Sequence, residues 1–357
     1  MTQPSGAASE TSEVLFAREG AVGVITLNRP EAINALSLAM VEAILARLQD
    51  WAEDDAVRAI LIEGRGEKGF CAGGDVRAVR ETLLAGRTDL AIRFFAAEYD
   101  MNRLIATYDK PVIALQTGVV MGGGIGLSSH ARYRIATPGA RFAMPEAALG
   151  FFCDVGVNAL LARSARAPAL AFMLSGSTIE TSDAIVLGLT DLCVPQTALA
   201  GLRQRLIGAA EADEIDTAIA TVLQSETSVA GEAPFCALAD QLSDCFAENE
   251  VGGIIEMLDY AAEDGDVGAA SLVGQMKAHC PTSLAVILAA HLAARRSRSL
   301  AAVLDTDRRL AEAMIQRPDF SEGVRAVLVD KDRAPVWSPD RLHRVDKGAI
   351  ARWMAQA

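Results

Sequence analysis

The chain has 357 residues, about half of them apolar, and carries 33 basic and 46 acidic side chains, a net charge of −13. This length and apolar content predict a globular protein with a large core rather than a disordered chain. The acidic balance argues against nucleic-acid binding, which needs a basic face, and no apolar run reaches the roughly 18 residues of a membrane span.

Strand-type and helix-type segments alternate through the first half of the chain. Residues 1–12 are small and polar, and we expect a disordered tail there. Two β-type runs, Val14 to Phe16 and Val22 to Leu27, flank a Glu-Gly turn and predict a hairpin. The next predicted elements are a helix capped by Ser37, a strand from Val57 to Glu63, a Gly-rich loop, a helical pattern from Asp75 to about Tyr108 and a strand from Val112 to Leu115. This alternation predicts an α/β fold with an at least partly parallel sheet.

Beyond about Leu199 the strand signal fades and helical patterns continue to the C-terminal end. We therefore predict two regions after the tail, a core of residues 13–200 and a helical region of residues 201–357. The last elements predicted for the core are helices from Ala159 to Leu174 and Ser182 to Leu187 and a strand from Leu192 to Val194.

Two Gly-rich turns each join a β-type run to a helix. One reads GFCAGGD (69–75) and the other MGGGIG (121–126). The dinucleotide fingerprint would need a glycine where Leu127 stands, and no Gly-Lys-Ser/Thr follows for a phosphate loop. Spacing alone leaves two interpretations open for the second turn, close packing of strand on helix or an oxyanion hole with one N–H near Gly123 and another from the first turn.

Two carboxylates follow the second turn, Glu146 after Pro145 and then Asp154. Taken singly, each is more simply explained as an ordinary helix-start or helix-capping residue. A continuous helix would hold them about 12 Å apart, but Gly150 lets the chain turn between them. A carboxylate that faces an oxyanion hole can act as a nucleophile or a general base.

Other chemistries have little support in the sequence. There is no G-x-S-x-G elbow and no H-E-x-x-H motif. The four histidines are dispersed, and a structural role is expected for His130, near a helix end. The six cysteines lack C-x-x-C spacing, which predicts reduced thiols in a cytoplasmic protein and no metal site.

At these motifs the chain resembles the crotonase (enoyl-CoA hydratase/isomerase) superfamily, and within it the 3-hydroxyisobutyryl-CoA hydrolase branch. The segments that carry the resemblance are TLNRPEAINALS (26–37), GFCAGGDVR (69–77), VVMGGGIGLSSHARYRIAT (119–137), FAMPEAALGFFCDVG (142–156), PTSL (281–284) and FSEGVRAVLVDKDRAPVW (320–337). They extend over most of the chain, and those near the C-terminal end are specific to the hydrolase branch.

The resemblance implies a spiral of ββα units followed by a helical C-terminal region. It places the oxyanion N–H donors on Gly74 and Gly123 and the catalytic carboxylates on Glu146 and Asp154. It further implies a substrate-contacting acid at Glu81. The chain that would contact the coenzyme A (CoA) moiety, largely through its backbone, comprises Ala32, Asn34, Ala35, Leu36 and Ala72. An acyl-CoA substrate, no separate cofactor and a possible homotrimer or hexamer are also implied.

One position separates the branches of this superfamily. Hydratases carry a first glutamate where this chain has Gly126, and usually a glycine where it has Asp154. Both differences favour thioester hydrolysis, with an enoyl-CoA hydratase and a non-catalytic CoA-binding or assembly protein as the alternatives. The chain departs from the hydrolases at Cys153, where they usually have proline, and at Val157 to Leu160, which we expect to line the acyl pocket.

Overall fold

The structure, a computed structural model, describes residues 12–226, 228–297 and 299–355. Except for Ser12, the tail predicted for residues 1–12 lies outside this range. The strands are β1 Val14–Glu19, β2 Val22–Leu27, β3 Ala59–Gly64, β4 Gly69–Cys71, β5 Val112–Gln116, β6 Val119–Met121, β7 Tyr133–Ala136, β8 Arg141–Ala143, β9 Ile179–Glu180 and β10 Leu192–Cys193.

Helices cover the connections and the C-terminal region. Those of the first 200 residues are α1 Leu38–Ala52, α2 Val76–Leu84, α3 Thr88–Ala106, α4 Gly123–Ser129, α5 Val157–Leu161, α6 Arg166–Ser175, α7 Thr181–Val186 and α8 Gln196–Ala209. They are followed by α9 Ile215–Gln224, α10 Pro234–Gln241, α11 Val251–Glu263, α12 Val267–Ala278, α13 Pro281–Ser297, α14 Leu300–Met314, α15 Pro318–Val324 and α16 Lys347–Met354. A 3-10 turn spans Glu146–Leu149, and a π-helical turn, Arg325–Val329, continues α15.

The strands form two sheets. The first has the order β1-β2-β3-β5-β7-β10, and only its β1–β2 hairpin is antiparallel. The second has the order β4-β6-β8-β9 and is parallel except at β9. From β3 to β8, successive strands alternate between the sheets. The first strand of each pair β3–β4, β5–β6 and β7–β8 lies in the first sheet, and the second strand lies in the second sheet. This confirms the predicted spiral of ββα units.

The predicted hairpin and the helix capped by Ser37 are both present. The Ser37 hydroxyl accepts a hydrogen bond from the Met40 N–H at 3.2 Å, which satisfies one of the free donors at the start of α1. The helical pattern predicted from Asp75 to about Tyr108 is present as two helices, α2 and α3, because the chain turns between them at Gly86, whose φ is 73°. A left-handed φ is open to glycine without the penalty that a side chain brings.

Both faces of the first sheet are covered. On one face, buried side chains of α1 such as Ile44 and Leu48 pack against Ile25 and Ile60. On the other face, Leu202 of α8 and Ile219 of α9 belong to a core cluster with the strand residues Val24, Leu61 and Ile113. Arg203 of α8 also pairs with Glu19 and Glu63 at 2.6 Å and 2.8 Å. α8, which spans residue 200, and α9 therefore cover this face of the sheet, and the division predicted at residue 200 stays a prediction.

The later helices pack against the elements around the second Gly-rich turn. α13 contacts α5 and α6, α14 contacts α3, and α15 contacts both α2 and the 3-10 turn. The last contact is backbone against backbone: a methyl group added at Gly323 would lie 2.3 Å from the Leu149 carbonyl carbon, and one at Gly150 would lie 2.2 Å from the Asp319 carbonyl oxygen. In the part of the chain that the structure describes, no helix is long and apolar enough to cross a membrane.

We expect Gly323→Ala to lower the free energy of unfolding by roughly 1–3 kcal/mol, the usual range for overpacking in a core. Gly274→Ala is the matched control, since Gly274 is also helical and a methyl group there meets nothing within 4 Å. Alanine has the higher helix propensity, so the control should stabilise α12 by up to about 1 kcal/mol. Urea unfolding measures both, and equal stability of the two variants would contradict the close contact.

Candidate active site

The two Gly-rich turns bring Gly74 and Gly123 together. An ideal Cβ built on Gly123 would lie 3.2 Å from the Gly74 nitrogen, and one on Gly73 would lie 3.4 Å from the Gly123 nitrogen. Gly123 is the first residue of α4, and neither N–H donates a hydrogen bond within the described residues. Two neighbouring N–H groups without partners are the arrangement that a developing oxyanion needs.

Glu146 begins the 3-10 turn and lies beside these donors. Its side chain is 6% exposed, caps no helix and has one buried oxygen without a hydrogen-bond partner among the described residues. Its Oε1 would lie only 2.7 Å from a Cβ on Gly122, whose φ is 49°. The carboxyl group therefore occupies the space that a side chain at Gly122 would fill, and the simple helix-start role does not account for it.

Asp154 is buried in the same region and does not cap α5. The N-cap of α5 is Gly156, which has no side-chain cap, whereas the Asp154 carboxylate accepts a hydrogen bond from the Tyr99 hydroxyl at 2.7 Å. The chain turns between the two carboxylates at Gly150, where φ is 69°, as the sequence predicted. The structure thus brings Glu146 and Asp154 into one buried cluster.

A third acid, Glu98 of α3, belongs to this cluster and was missed in the sequence. Its side chain is 2% exposed, its Oε1 has no hydrogen-bond partner among the described residues, and that atom would lie 2.3 Å from a Cβ on Gly123. The signal was a carboxylate inside the apolar stripe of an amphipathic helix, seven residues after Ala91 and seven before Ile105. Glu98 therefore lies directly beside Gly123, one of the two glycines with an unpartnered N–H group.

The proximity of these carboxyl groups appears in their pKa values. Burial, followed by the charge of Asp154, raises the pKa of both Glu98 and Glu146 well above the usual range. Burial also raises the pKa of Asp154 to about 7, while the Tyr99 hydrogen bond opposes the rise. None of the three forms an ion pair within the described residues. Since like charges at close range cannot all ionise, the cluster holds protons at neutral pH.

The turn after Asp154 is held in an uncommon conformation. Val155 has a φ of 54° and Gly156 a φ of 72°. A β-branched residue in the left-handed region costs about 1–3 kcal/mol and persists only where its surroundings hold it. One such contact comes from His130, which ends α4 and whose Nε2 lies 2.8 Å from the Val155 carbonyl oxygen. Burial lowers the pKa of His130 to about 4, so the ring is neutral and donates this bond, which confirms its structural role.

Comparison with known proteins places this site in a family. The model described as enoyl-CoA hydratase/isomerase matches residues 22–354. The chain belongs to that family. The mitochondrial 3-hydroxyisobutyryl-CoA hydrolases of Rattus norvegicus and Homo sapiens are 39% and 38% identical to it, over 94% and 93% of this chain and 87% and 86% of theirs.

Solved structures of this family share the whole fold. A carnitinyl-CoA dehydratase from Mycobacterium thermoresistibile is 33% identical, with a TM-score of 0.88 and 97% of both chains covered. An enoyl-CoA hydratase from Rhodobacter sphaeroides 2.4.1 has the same identity and TM-score and covers 96% of this chain and 97% of its own. The high coverage includes the C-terminal helices, so these belong to the shared architecture.

The position that separates family branches has no room for a side chain. A Cβ on Gly126 would lie 2.6 Å from the Val155 Cβ and 2.9 Å from the Asn102 Nδ2. Real Cβ atoms do not approach other atoms so closely, so a glutamate at this position would require the turn after Asp154 to move. The first acid of the hydratase pair is therefore excluded here both by the residue and by its surroundings.

The residues expected to contact CoA form a connected rim beside Gly74. Leu36 donates its N–H to the Gly73 carbonyl oxygen at 2.8 Å, and Ala72 donates to Ile33 at 2.9 Å. Ala32, Ala35 and Ala72 are partly exposed, whereas Asn34 is buried, and its side chain donates to the carbonyl groups of Arg65, Gly69 and Phe70. The Asn34 side chain thus fixes the rim. The backbone N–H groups of the predicted contact residues, Ala32, Asn34, Ala35, Leu36 and Ala72, all donate hydrogen bonds within the protein.

The structure also locates Glu81, the segment expected to line the acyl pocket, and the six cysteines. Glu81 is exposed on α2, and the structure does not bring it into the buried cluster. Asn158, in the segment expected to line the acyl pocket, directs its amide to the Cys153 carbonyl oxygen at 3.0 Å. All six cysteines are buried and free, and among the described residues no group of histidine, cysteine or acidic side chains could hold a metal ion.

The pKa of Asp154 predicts how stability depends on pH. Because its folded-state pKa of about 7 lies above the ordinary aspartate value of 3.8, the folded protein retains a proton that the unfolded chain has lost between these limits. The free energy of unfolding should therefore fall as the pH rises through this window. At about 1.4 kcal/mol per pKa unit, a shift of this size corresponds to a loss of roughly 3 kcal/mol between about pH 5 and about pH 8.

Asp154→Asn should reduce this fall, because it removes one acid and lowers the raised pKa of the two acids beside it, and substitution of the exposed Asp50 by Asn should leave the fall unchanged. Urea unfolding at the two pH values measures the difference for each protein. An Asp154→Asn variant with the same pH dependence as the wild type would show that the carboxyl group ionises as freely as an exposed one.

Proposed function

We propose that the protein hydrolyses the thioester of 3-hydroxyisobutyryl-CoA. The observation that carries the proposal is a buried carboxyl cluster beside two unpartnered N–H groups, with no room for the first hydratase glutamate at Gly126. The curated relatives with this activity support it across nearly the full chain. Hydrolysis of this thioester would serve valine breakdown, and we propose the cytoplasm as its location.

The oxyanion donors and the carboxyl groups divide the reaction between them. The thioester carbonyl oxygen would accept hydrogen bonds from the Gly74 and Gly123 N–H groups, which stabilise the negative charge that develops on it. Glu146 would attack the carbonyl carbon or activate a water that does so. The carbon–sulfur bond then breaks, and the CoA thiolate leaves with a proton from the cluster. On the route in which Glu146 attacks, water then hydrolyses the resulting anhydride, which releases the acid and regenerates the Glu146 carboxyl group.

The raised pKa values fit this division of roles. Since the carboxyl groups interact, their protons belong to the cluster rather than to single residues. Loss of one proton leaves a carboxylate that can act as base or nucleophile beside a carboxylic acid that can protonate the leaving thiolate. Asp154, held by Tyr99, would orient the attacking group and the thiol. Single turnover in ¹⁸O-water would separate the two routes, because only attack by Glu146 itself delivers a carboxyl oxygen to the product.

The CoA moiety would lie along the rim formed by Ala32, Ala35, Leu36 and Ala72. The buried side chain of Asn34 fixes that rim through its hydrogen bonds to backbone carbonyl groups. CoA enters as part of the substrate, and we propose that the reaction needs no separate cofactor. Assembly into a homotrimer or hexamer stays a prediction, which light scattering measures directly.

A second candidate is hydration of an enoyl-CoA, which the names of the two solved relatives favour. Glu98 could take the place of the missing first acid in such a reaction, with Glu146 as the second, since it lies buried beside Gly123. Glu146 and Asp154 count against the further alternative of a silent CoA-binding or assembly protein, because buried carboxyl groups without ion pairs destabilise a fold that does not use them.

Thiol release from a panel of acyl-CoAs tests these alternatives. We expect rapid release from 3-hydroxyisobutyryl-CoA and 3-hydroxypropionyl-CoA, and little loss of the enoyl absorbance with crotonyl-CoA. Glu146→Gln and Asp154→Asn should each lower kcat by roughly 10²-fold or more, the scale of general acid–base catalysis, with folding intact. Faster hydration of crotonyl-CoA would support the hydratase, and no thiol release from any thioester would support the silent protein.

A matched pair of variants tests which acid recognises the 3-hydroxyl group. If Glu98 accepts its hydrogen bond, Glu98→Gln should reduce the preference in kcat/KM for 3-hydroxyisobutyryl-CoA over isobutyryl-CoA by roughly 10-fold or more, since hydrogen-bonded hydroxyls give strong discrimination. Glu81→Gln, on the exposed face of α2, should keep the wild-type preference. If Glu81→Gln loses the preference and Glu98→Gln keeps it, Glu81 is the acid that binds the 3-hydroxyl group, as the resemblance implied.

A further inference from the structure

A carboxyl group from the C-terminal helices reaches the turn that carries Asp154. Asp307 of α14 accepts a hydrogen bond from the Gly156 N–H at 2.8 Å, across 151 residues of sequence. Gly156 lies two residues after Asp154 and follows the left-handed Val155. The bond therefore fixes the backbone at the point where the chain leaves the catalytic carboxylate.

A second contact from the same region supports the other side of the turn. Asn158 donates to the carbonyl oxygen of Cys153, the residue before Asp154, and its own amide oxygen lies 3.2 Å from the Nδ1 of His291 on α13. Asn158 and Asp307 also line one small cavity of about 60 Å³. The residues on both sides of Asp154 are thus held, directly or through Asn158, by side chains of α13 and α14.

Asp307 is poorly explained as a residue for stability alone. It is 1% exposed, forms no ion pair, and its second oxygen has no hydrogen-bond partner in the part of the chain that the structure describes. A well-packed apolar residue usually stabilises such a position at least as well as an unpaired carboxyl group. Burial and then the charge of Asp154 raise the pKa of Asp307, which places the two acids close together.

We propose that Asp307 is a positioning residue for Asp154: by accepting the Gly156 N–H, it holds the left-handed turn that directs the Asp154 carboxylate toward Tyr99 and the reacting thioester. The proposal rests on the thioester hydrolysis proposed above. It assigns to the C-terminal helices a direct part in the geometry of the active site.

The test compares variants that keep or remove the acceptor. Asp307→Leu removes it and keeps the same branched skeleton of heavy atoms, while Asp307→Asn keeps an amide oxygen at the same place. We expect Asp307→Leu to lower kcat by roughly 10- to 100-fold, the effect of a small misplacement in an active site, with KM within about threefold of the wild-type value. Asp307→Asn should have a kcat within about fivefold of the wild-type value. The control is Asp305→Ala on the exposed face of α14, which pairs only with Arg103 and should leave kcat unchanged.

A double variant asks whether Asp307 acts through Asp154. In an Asp154→Asn background, Asp307→Leu should lower kcat by less than about threefold further, because the group that it positions has already been replaced. Wild-type kcat in Asp307→Leu with a lowered melting temperature would show a purely structural role and overturn the proposal. Equal losses in the Leu and Asn variants, or full additivity with Asp154→Asn, would also overturn it.

A crystal structure of Asp307→Leu gives an outcome that needs no substrate. We expect the turn at Val155 and Gly156 to relax and the Tyr99 hydroxyl to lose its bond to Asp154. An unchanged turn would overturn the proposal even if the protein hydrolyses thioesters. The two proposals can also fail separately. If the turn moves in the variant but the wild-type protein releases no thiol, the proposed function is rejected, while Asp307 still positions the turn. If Asp307→Leu does not fold, Asp307→Ala carries the same kinetic and structural comparison.

Discussion

The site depends on one electrostatic constraint, the burial of several carboxyl groups together without a cation to neutralise them. Glu98, Glu146 and Asp154 come from three separate elements, and Asp307 approaches from a fourth. Each raises the free energy of the folded protein when it ionises, so the surrounding chain must keep protons on the cluster or stabilise its charge. The glycines at 122 and 123 fit this arrangement, because only a residue without a side chain leaves room for these oxygens beside the free N–H groups.

Local sequence patterns predict much of the fold. The Glu-Gly turn of the first hairpin, the Ser37 cap and the two Gly-rich turns are each determined by neighbouring residues, and the structure confirms them. The pairing of Glu146 with Asp154 was also accessible, because Gly150 marked the turn between them. In these cases the physical cause lies within a few residues of its effect, and a single sequence contains it.

Other features depend on contacts between distant segments and could not be read from the sequence. The position of Glu98 on the apolar stripe of α3 indicates burial, but only the packing of α3 brings it beside Gly123 and the other carboxyl groups. Asp307 likewise lies in an unremarkable amphipathic helix, and only the fold brings it to Gly156. Gly86 could have remained inside a helix, since an isolated glycine is tolerated there, and the packing of α2 and α3 decides that it turns.

The contact of α15 with the 3-10 turn has a consequence for how the protein is made. Glu146 stands at the start of that turn, and the backbone of the turn rests on residues 319–323. A chain that grows from its N-terminal end completes both sheets well before this support exists. Glu146 therefore acquires its final neighbours only in the last tenth of synthesis, and a nascent chain still on the ribosome contains every predicted catalytic residue without a finished site.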